Sequence, residues 1–347
     1  MKIINLALIG LGAVGRGFLE LLEAKTAFLA QSYNAQFNVV GVATARRGSL
    51  FRLEGLAIDE LLKASAANDL NSYPDQARLN RNLDTLQTLT RPGVDVVIEI
   101  TPTNWDTGEP ALGHVRAALA AGKHVITANK GPIALAYPEL LAHAKHRDLF
   151  LGYEGTVMGG TPVLRLARRD LAGCNISEVR GIVNGTTNFI LTEMEAGKTY
   201  ADALADAQQR GYAEADPTAD VEGFDAAGKL IILSQVIFGV PITLAEIDRK
   251  GITHLTQTHI AEAKADGQRW KLIARASKTE DGRVRASVRP ERLPITDALA
   301  QIGGGINAIT YQTDILGAVT LSGAGAGGRA TGYAIFSDLL EFVELFG

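Results

Sequence analysis

A doubly wound, parallel α/β sheet followed by an α+β domain is the fold predicted for this 347-residue chain, and three observations predict it. Over residues 1–150, short apolar runs alternate with longer amphipathic ones, the rhythm of β-α units feeding a parallel sheet. After residue 160 the rhythm changes to helices mixed with strand-like segments, as in a mixed or antiparallel sheet. The length suits two domains, or three small ones, at about 100–200 residues each.

The first-half strands are expected at Ile3–Ile9, Phe37–Ala43, Val94–Ile100, His124–Ala128 and Leu149–Tyr153, where apolar runs are too short for helices. Helical spacing marks Val14–Ala30, Pro110–Ala121 and Pro138–Arg147. Right-handed crossovers make the sheet doubly wound, and such sheets bind ligands outside the carboxyl ends of their strands. In the second half, helices are expected at Thr161–Leu171, Thr186–Ala196, Tyr200–Arg210 and Val221–Phe238. Strands are expected at Ile176–Ile182, Trp270–Ser277, Arg283–Val288, Ala308–Tyr311 and Ala318–Ser322. The final run, Gly328–Phe346, is apolar at helical spacing and is expected to return to the first domain. The expected division is 1–153, 154–322 and 323–347.

Composition narrows the function. With 34 Lys+Arg against 38 Asp+Glu the net charge is −4, and the basic residues are scattered, so nucleic acid is not an expected partner. No stretch reaches about 18 uninterrupted apolar residues, which argues against a membrane span. The single cysteine, Cys174, forms no intrachain disulfide, and the N-terminus lacks a signal-peptide pattern; the cytoplasm is the expected compartment. Glycine is the outlier, at roughly 11% against a usual ~7%. Fifteen of the 37 fall in the segments 10–17, 152–160, 303–305 and 323–328, where the backbone turns sharply or something approaches it closely.

The first strand ends in Gly10-Leu11-Gly12-Ala13-Val14-Gly15, a G-x-G-x-x-G that opens directly into a helix pattern. Such glycines permit a tight turn, close approach of a pyrophosphate, and helix–strand packing, while the helix N-terminus supplies free N–H groups. The reading is a Rossmann-type dinucleotide site. At the end of the second strand, Gly41-Val42-Ala43-Thr44-Ala45-Arg46-Arg47 has no acid to accept from a ribose 2′-hydroxyl. Arg46 suits a 2′-phosphate, which favours NADP, with NAD as the alternative.

Two polar islands remain. Thr127-Ala128-Asn129-Lys130-Gly131-Pro132 follows a strand, so topology puts Lys130 at the carboxyl end of the sheet. Between Glu214 and Lys229 stand six ionisable residues in sixteen positions, and Asp225 and Lys229, four apart, share a helix face. Gly223 and Gly228 lower helix propensity where a merely solvated face would not need them.

The run Ala207–Lys229 resembles the signature of homoserine dehydrogenases at Ala207, Gly211, Tyr212, Asp216, Pro217, Asp220, Val221, Gly223, Asp225 and Lys229. The family's other landmarks follow at Gly10–Gly15, Thr127–Pro132, Glu154–Pro162, Asn184–Leu191 and Gly323–Thr331. The resemblance implies an NAD(P)-binding Rossmann domain, a catalytic and dimerisation domain, and a closing helix. It also implies interconversion of L-homoserine and L-aspartate 4-semialdehyde in threonine and methionine biosynthesis. By the resemblance, Lys229 is the general acid/base, Glu214 accepts the substrate ammonium, Asp225 fixes substrate polar groups and Lys229, and Lys130 sits beside the alcohol oxygen or the cofactor. Cofactor contacts come from Gly10, Gly12, Ala13, Val14, Gly15, Arg46, Thr101, Lys130, Gly211, Gly325 and Gly327. Glu154 and the carbonyls of Val157, Gly159 and Thr161 would hold Na⁺, an oxygen set that suits a hard cation; Met158 stands where glycine is common. Asn184–Leu191 reads equally as packing.

Desolvation and Lys130 favour a neutral Lys229 amine while Asp225 favours the ammonium. A free lysine titrates near about 10.4, so homoserine oxidation is expected to rise toward alkaline pH. Residues 320–347 leave no room for the family's C-terminal regulatory (ACT) domain, so threonine inhibition is not expected. The alternatives are a related amino-acid or semialdehyde dehydrogenase, and a catalytically silent NADP(H)-binding sensor.

Overall fold

The computed structural model describes all 347 residues and divides into two compact units, Met1–Gly160 with Gly327–Gly347, and Thr161–Ala326. The first unit is built on seven strands: β1 (Lys2–Ile9), β2 (Ala35–Thr44), β3 (Gly48–Phe51), β4 (Asn80–Arg81), β5 (Val96–Glu99), β6 (His124–Thr127) and β7 (Leu151–Gly152). Their order is β4-β3-β2-β1-β5-β6-β7. The five expected strands are all present and parallel. Two antiparallel strands, β3 and β4, extend the edge beyond expectation. Neither stands out as an apolar run: β4 is two polar residues, and β3 begins with Gly48 and Ser49 just after the turn that ends β2.

The expected helix Val14–Ala30 is two helices, Ala13–Ala24 and Thr26–Tyr33, because Lys25 leaves helical geometry at φ −104° and ψ 8°. The helix expected from Pro138 starts earlier, spans Lys130–His146, and kinks at Ala136, just before Pro138. Leu6, Leu8, Phe18 and Ile98 join Ile335 and Phe342 of the closing helix, Gly328–Phe346, in one core. Small residues let the helices Ala13–Ala24 and Gly328–Phe346 touch: a Cβ on Gly17 would stand 2.6 Å from the Gly328 carbonyl oxygen.

The second unit carries β8 (Ile176–Ile182), β9 (Ile247–Arg249), β10 (Gln268–Lys278), β11 (Val284–Pro294), β12 (Ile306–Thr313) and β13 (Gly317–Ala324). Their order is β13-β12-β8-β10-β11-β9, and the sheet is mixed because β9 alone pairs in parallel, with β11. Ile182, Ile273, Leu293, Leu299 and Ala308 form a core on this sheet. The expected helix Val221–Phe238 is interrupted: Thr218–Val221 ends, Gly223 turns the chain at φ +79°, and Phe224–Leu233 runs into a π-helical segment, Ser234–Phe238. No helix is long and apolar enough to cross a membrane.

Candidate active site

The glycine loop at the end of β1 uses each glycine differently. Gly10 has φ +100°, and a Cβ there would lie 2.8 Å from the Ile100 carbonyl oxygen, so only glycine fits. Gly12 is the exposed N-cap of the helix Ala13–Ala24, and nothing lies within 4 Å of the direction its Cβ would take. No side chain caps this helix and no acid stands in its first turn, so the N–H groups of its first turn are left without a capping side chain. That arrangement fits a pyrophosphate. Gly15 serves packing, its Cβ position 3.0 Å from Ile100 Cδ1. Gly327, at φ +117°, is open, and the next residue packs so that a Cβ on Gly328 would meet the Ala13 oxygen at 2.6 Å. Gly325 belongs to the second unit, where any Cβ would overlap the Asn307 amide. Arg46 lies exposed in the β2–β3 turn and makes no ion pair.

Around the ends of β5 and β6 lies a network that the sequence did not announce. Glu99 is fully buried, accepts the N–H of Thr101 at 3.2 Å, its hydroxyl as well, and stands 3.5 Å from His114 Nδ1. Asn129 Nδ2 donates to the carbonyls of Thr101 at 2.9 Å and Pro102 at 3.2 Å, while its Oδ1 accepts from Gly131 N–H at 3.0 Å. Asn129 thereby caps the helix whose first residue is Lys130. The Lys130 ammonium lies 5.9 Å from the centre of the Trp105 ring.

In the second unit, Asp225 and Lys229 are paired as their spacing predicts. Lys229 is 6% exposed; its Nζ lies 2.6 Å from Asp225 Oδ2 and donates to the Val183 carbonyl at 2.6 Å. Asn184, whose segment the sequence leaves open between packing or dimerisation and ligand contact, bridges two carboxylates: its Nδ2 donates to Asp220 Oδ1 at 2.6 Å and to Asp225 Oδ2 at 3.0 Å. Its Oδ1 accepts from Thr187 N–H at 2.9 Å and caps the helix Gly185–Glu195. Burial pushes the Asp220 carboxyl up, with the nearby Asp225 charge adding to the effect, while the Asn184 hydrogen bond holds it down. Gly211 turns at φ +75° just beyond the helix Tyr200–Gln209, with open space beside it. From there the chain runs as a strap: Thr186 Oγ1 donates to the Tyr212 carbonyl at 2.6 Å, and Gln208 Nε2 donates to the Glu214 carbonyl at 3.1 Å. The Glu214 side chain is exposed.

The comparisons match this geometry to known proteins. The family model described as homoserine dehydrogenase, NAD binding domain, matches residues 10–153, and the one described as homoserine dehydrogenase matches residues 162–340. The chain belongs to the homoserine dehydrogenase family. It is 41% identical to an NAD(+)-dependent homoserine dehydrogenase of Pseudomonas canavaninivorans, over 97% of this chain and 95% of that one. It is 37% identical to a homoserine dehydrogenase of Methanocaldococcus jannaschii, over 97% and 98%. Among solved structures, a homoserine dehydrogenase from Thiobacillus denitrificans superposes with a TM-score of 0.85 at 34% identity, covering 99% of this chain and 74% of that one. A hyperthermophilic archaeal homoserine dehydrogenase mutant in complex with NADPH gives a TM-score of 0.84 at 31% identity, covering 100% and 99%. The chain is thus an NAD(P)-dependent oxidoreductase that interconverts L-homoserine and L-aspartate 4-semialdehyde.

The homoserine dehydrogenase loop expected to hold a cation begins at Glu154, whose side chain is buried and whose N–H donates to Asp338 Oδ2 at 3.1 Å. Val157 is buried, and Met158 and Gly159 are successive left-handed residues at φ +57° and +55°. Met158 therefore adopts the conformation that glycine takes most readily. Thr161 opens the second unit, and its hydroxyl donates to the Ala324 carbonyl at 3.1 Å. No three His, Cys, Asp or Glu side chains gather into a metal-binding group.

Proposed function

We propose that Lys229 is the proton carrier of this homoserine dehydrogenase. The observation that supports it is the near-complete burial of Lys229 between Asp225 and the Val183 carbonyl. An ammonium has three N–H donors; with two engaged, one remains for the substrate oxygen. Bound NAD(P) supplies or accepts the hydride. As the semialdehyde carbonyl gains negative charge, Lys229 donates to its oxygen, and Asp225 keeps the amine aimed and balances its charge. Glu214 accepts the substrate ammonium, and Lys130 polarises the alcohol oxygen or contacts the cofactor. In homoserine oxidation Lys229 first gives up a proton, so that direction gains at alkaline pH. Lys229→Ala should lower kcat by roughly 10²–10⁴-fold with NADPH affinity unchanged; near-normal turnover would refute the role.

The cofactor reading is NADP, supported by Arg46 and the missing acid at the end of β2. NAD is the second reading, favoured by the relative named as NAD(+)-dependent. Values of kcat/KM for both cofactors, in the wild type and in Arg46→Ala, decide: NADP preference lost in the variant supports Arg46. The ammonium role of Glu214 is tested by Glu214→Gln, which should raise the homoserine KM. The remaining cofactor contacts proposed are Gly10, Gly12, Ala13, Val14, Gly15, Thr101, Gly211, Gly325 and Gly327. Na⁺ at Glu154, Val157, Gly159 and Thr161 predicts activity lost when sodium is replaced by a large organic cation. The compartment proposed is the cytoplasm, and a homodimer through the second unit's sheet is supported by the exposed Ile306, Ile315 and Leu316 of the β12–β13 hairpin, 42%, 69% and 60% exposed. Light scattering tests the dimer.

A further inference from the structure

The third glycine cluster, Gly303–Gly305, had no function in the sequence, and a buried lysine explains it. Lys271 on β10 is 1% exposed, makes no ion pair, and donates to the Ile302 carbonyl at 2.8 Å and Asn188 Oδ1 at 3.2 Å. Burying an ammonium whose hydrogen bonds go only to neutral oxygens is costly; burial lowers the pKa of this one, the charge of Glu195 raises it and that of Arg269 lowers it. A packed sheet would be served as well by leucine. The hydrogen bonds converge on one place. Asn188 Nδ2 donates to the carbonyls of Ile302 at 3.3 Å and Ile306 at 3.0 Å, the two residues that flank the glycines. Gly304 N–H donates to Thr192 Oγ1 at 3.0 Å. Lys271 and two residues of the helix Gly185–Glu195 thus pin both ends and the middle of the loop.

The pinned loop bears on the strap that leads to Glu214. A Cβ on Gly305 would lie 2.6 Å from Tyr212 Cε1, and a Cβ on Gly185 would lie 2.7 Å from the Gly305 oxygen. The Tyr212 ring also stacks on Phe189, with centroids 4.8 Å apart and planes 27° apart. The ring, of a residue 46% exposed, therefore rests against Phe189 and against a bare glycine backbone, two residues before Glu214.

We propose that Lys271, Asn188 and Gly303–Gly305 form a pedestal that seats the Tyr212 ring and so positions Glu214 for the substrate ammonium. Lys271 and Gly305 are positioning residues; they touch neither substrate nor cofactor. The proposal rests on the reading of Glu214 as the ammonium acceptor.

Gly305→Ala pushes a methyl group into the ring, and Lys271→Met, similar in volume, removes the donor to Ile302. Each should raise the homoserine KM about tenfold while kcat and the NADPH affinity, titrated by fluorescence, change less than about twofold. In a Tyr212→Ala background the same substitutions should raise KM by less than about twofold, because the coupling runs through the ring. Equal loss in both backgrounds, or loss spread over kcat and NADPH affinity, would make the role structural only and overturn the proposal. If Gly305→Ala fails to fold, as judged by circular dichroism, Lys271→Met carries the test alone. Glu214→Gln separates the two ideas. A raised homoserine KM there, with normal values in Gly305→Ala and Lys271→Met, overturns the pedestal alone; an unchanged KM in Glu214→Gln overturns the ammonium reading and the pedestal's purpose with it.

Discussion

Asn184→Asp exchanges one donor group for a negatively charged oxygen and leaves size and shape almost unchanged. The Asn184 Nδ2 lies 2.6 Å from one carboxylate oxygen of Asp220 and 3.0 Å from one of Asp225. The oxygen that caps the helix is kept, so capping does not change. Three carboxylates would then meet in a site where Asn184 is only 4% exposed. Two unit charges about 3 Å apart repel by about 5–6 kcal/mol at an effective dielectric constant of about 20. Protonating one carboxyl at about pH 7, roughly 3 pKa units above the ordinary aspartate value, costs about 4 kcal/mol. The smaller cost prevails, so the variant binds a proton, and one hydrogen bond is regained. Burial already raises the Asp220 pKa, so the variant should lose at most about 4 kcal/mol at neutral pH, and the deficit should shrink by up to about 1.4 kcal/mol for each pH unit lowered. Urea denaturation of both proteins between about pH 5 and 8 measures this. A deficit that does not vary with pH would mean that Asn184 does not mediate between charged groups.

Three further outcomes follow from the same geometry. Burial raises the Asp220 pKa, so the native state holds its proton more tightly; this group's contribution to stability is complete below about 3.8 and is lost as pH rises through the folded pKa. Asp220→Asn should therefore melt higher than the wild type at about pH 7 and lose that advantage near about pH 4, which thermal melts at the two pH values check. Gly332→Ala places a Cβ 2.5 Å from the Phe18 backbone nitrogen, with only backbone to yield; overpacking of about 1–3 kcal/mol should exceed the roughly 1 kcal/mol gain in helix propensity and lower Tm. In Met158→Gly, relief of a left-handed residue is worth about 1–2 kcal/mol, less than the about 2–5 kcal/mol lost with a fully buried methionine side chain, so Tm should fall.

The parts of the site legible in the sequence are those made by neighbours along the chain. Gly10 and Gly12 declare a turn and an open helix end within one motif, and Asp225 and Lys229 stand one helical turn apart, so local geometry brings them to one face. The rest depends on residues far apart in sequence. Asn184 meets Asp220 and Asp225 across 36 and 41 positions, and its own neighbourhood reads only as a capped helix. Glu99 and Lys271 sit inside strand patterns, where a single polar residue gives no sign of facing inward. The same holds for the fold: the parallel strands are apolar runs and carry a signal, whereas β3 exists because β2 offers it an edge, and β4 because β3 does. Gly223 lies between these cases. Its presence in a helical pattern was visible, but its left-handed turn, which starts the helix bearing Asp225 and Lys229, required the structure.

This difference between local and distant contacts has a chemical consequence. The Asp225–Lys229 pair, proposed above as the proton-carrying pair, is fixed by one helix, while Asn184 from another donates to Asp225 and Asp220. On the proposed role of Lys229, substitution at Asn184 should therefore alter the pH profile of activity without displacing Lys229 from Asp225. In Asn184→Asp the pH profile of homoserine oxidation should shift relative to the wild type, because the Asp220–Asp225 cluster gains a charge or a proton. An unshifted profile, together with a pH-dependent stability deficit, would mean that Asn184 governs the charge of Asp220 but not that of the catalytic pair.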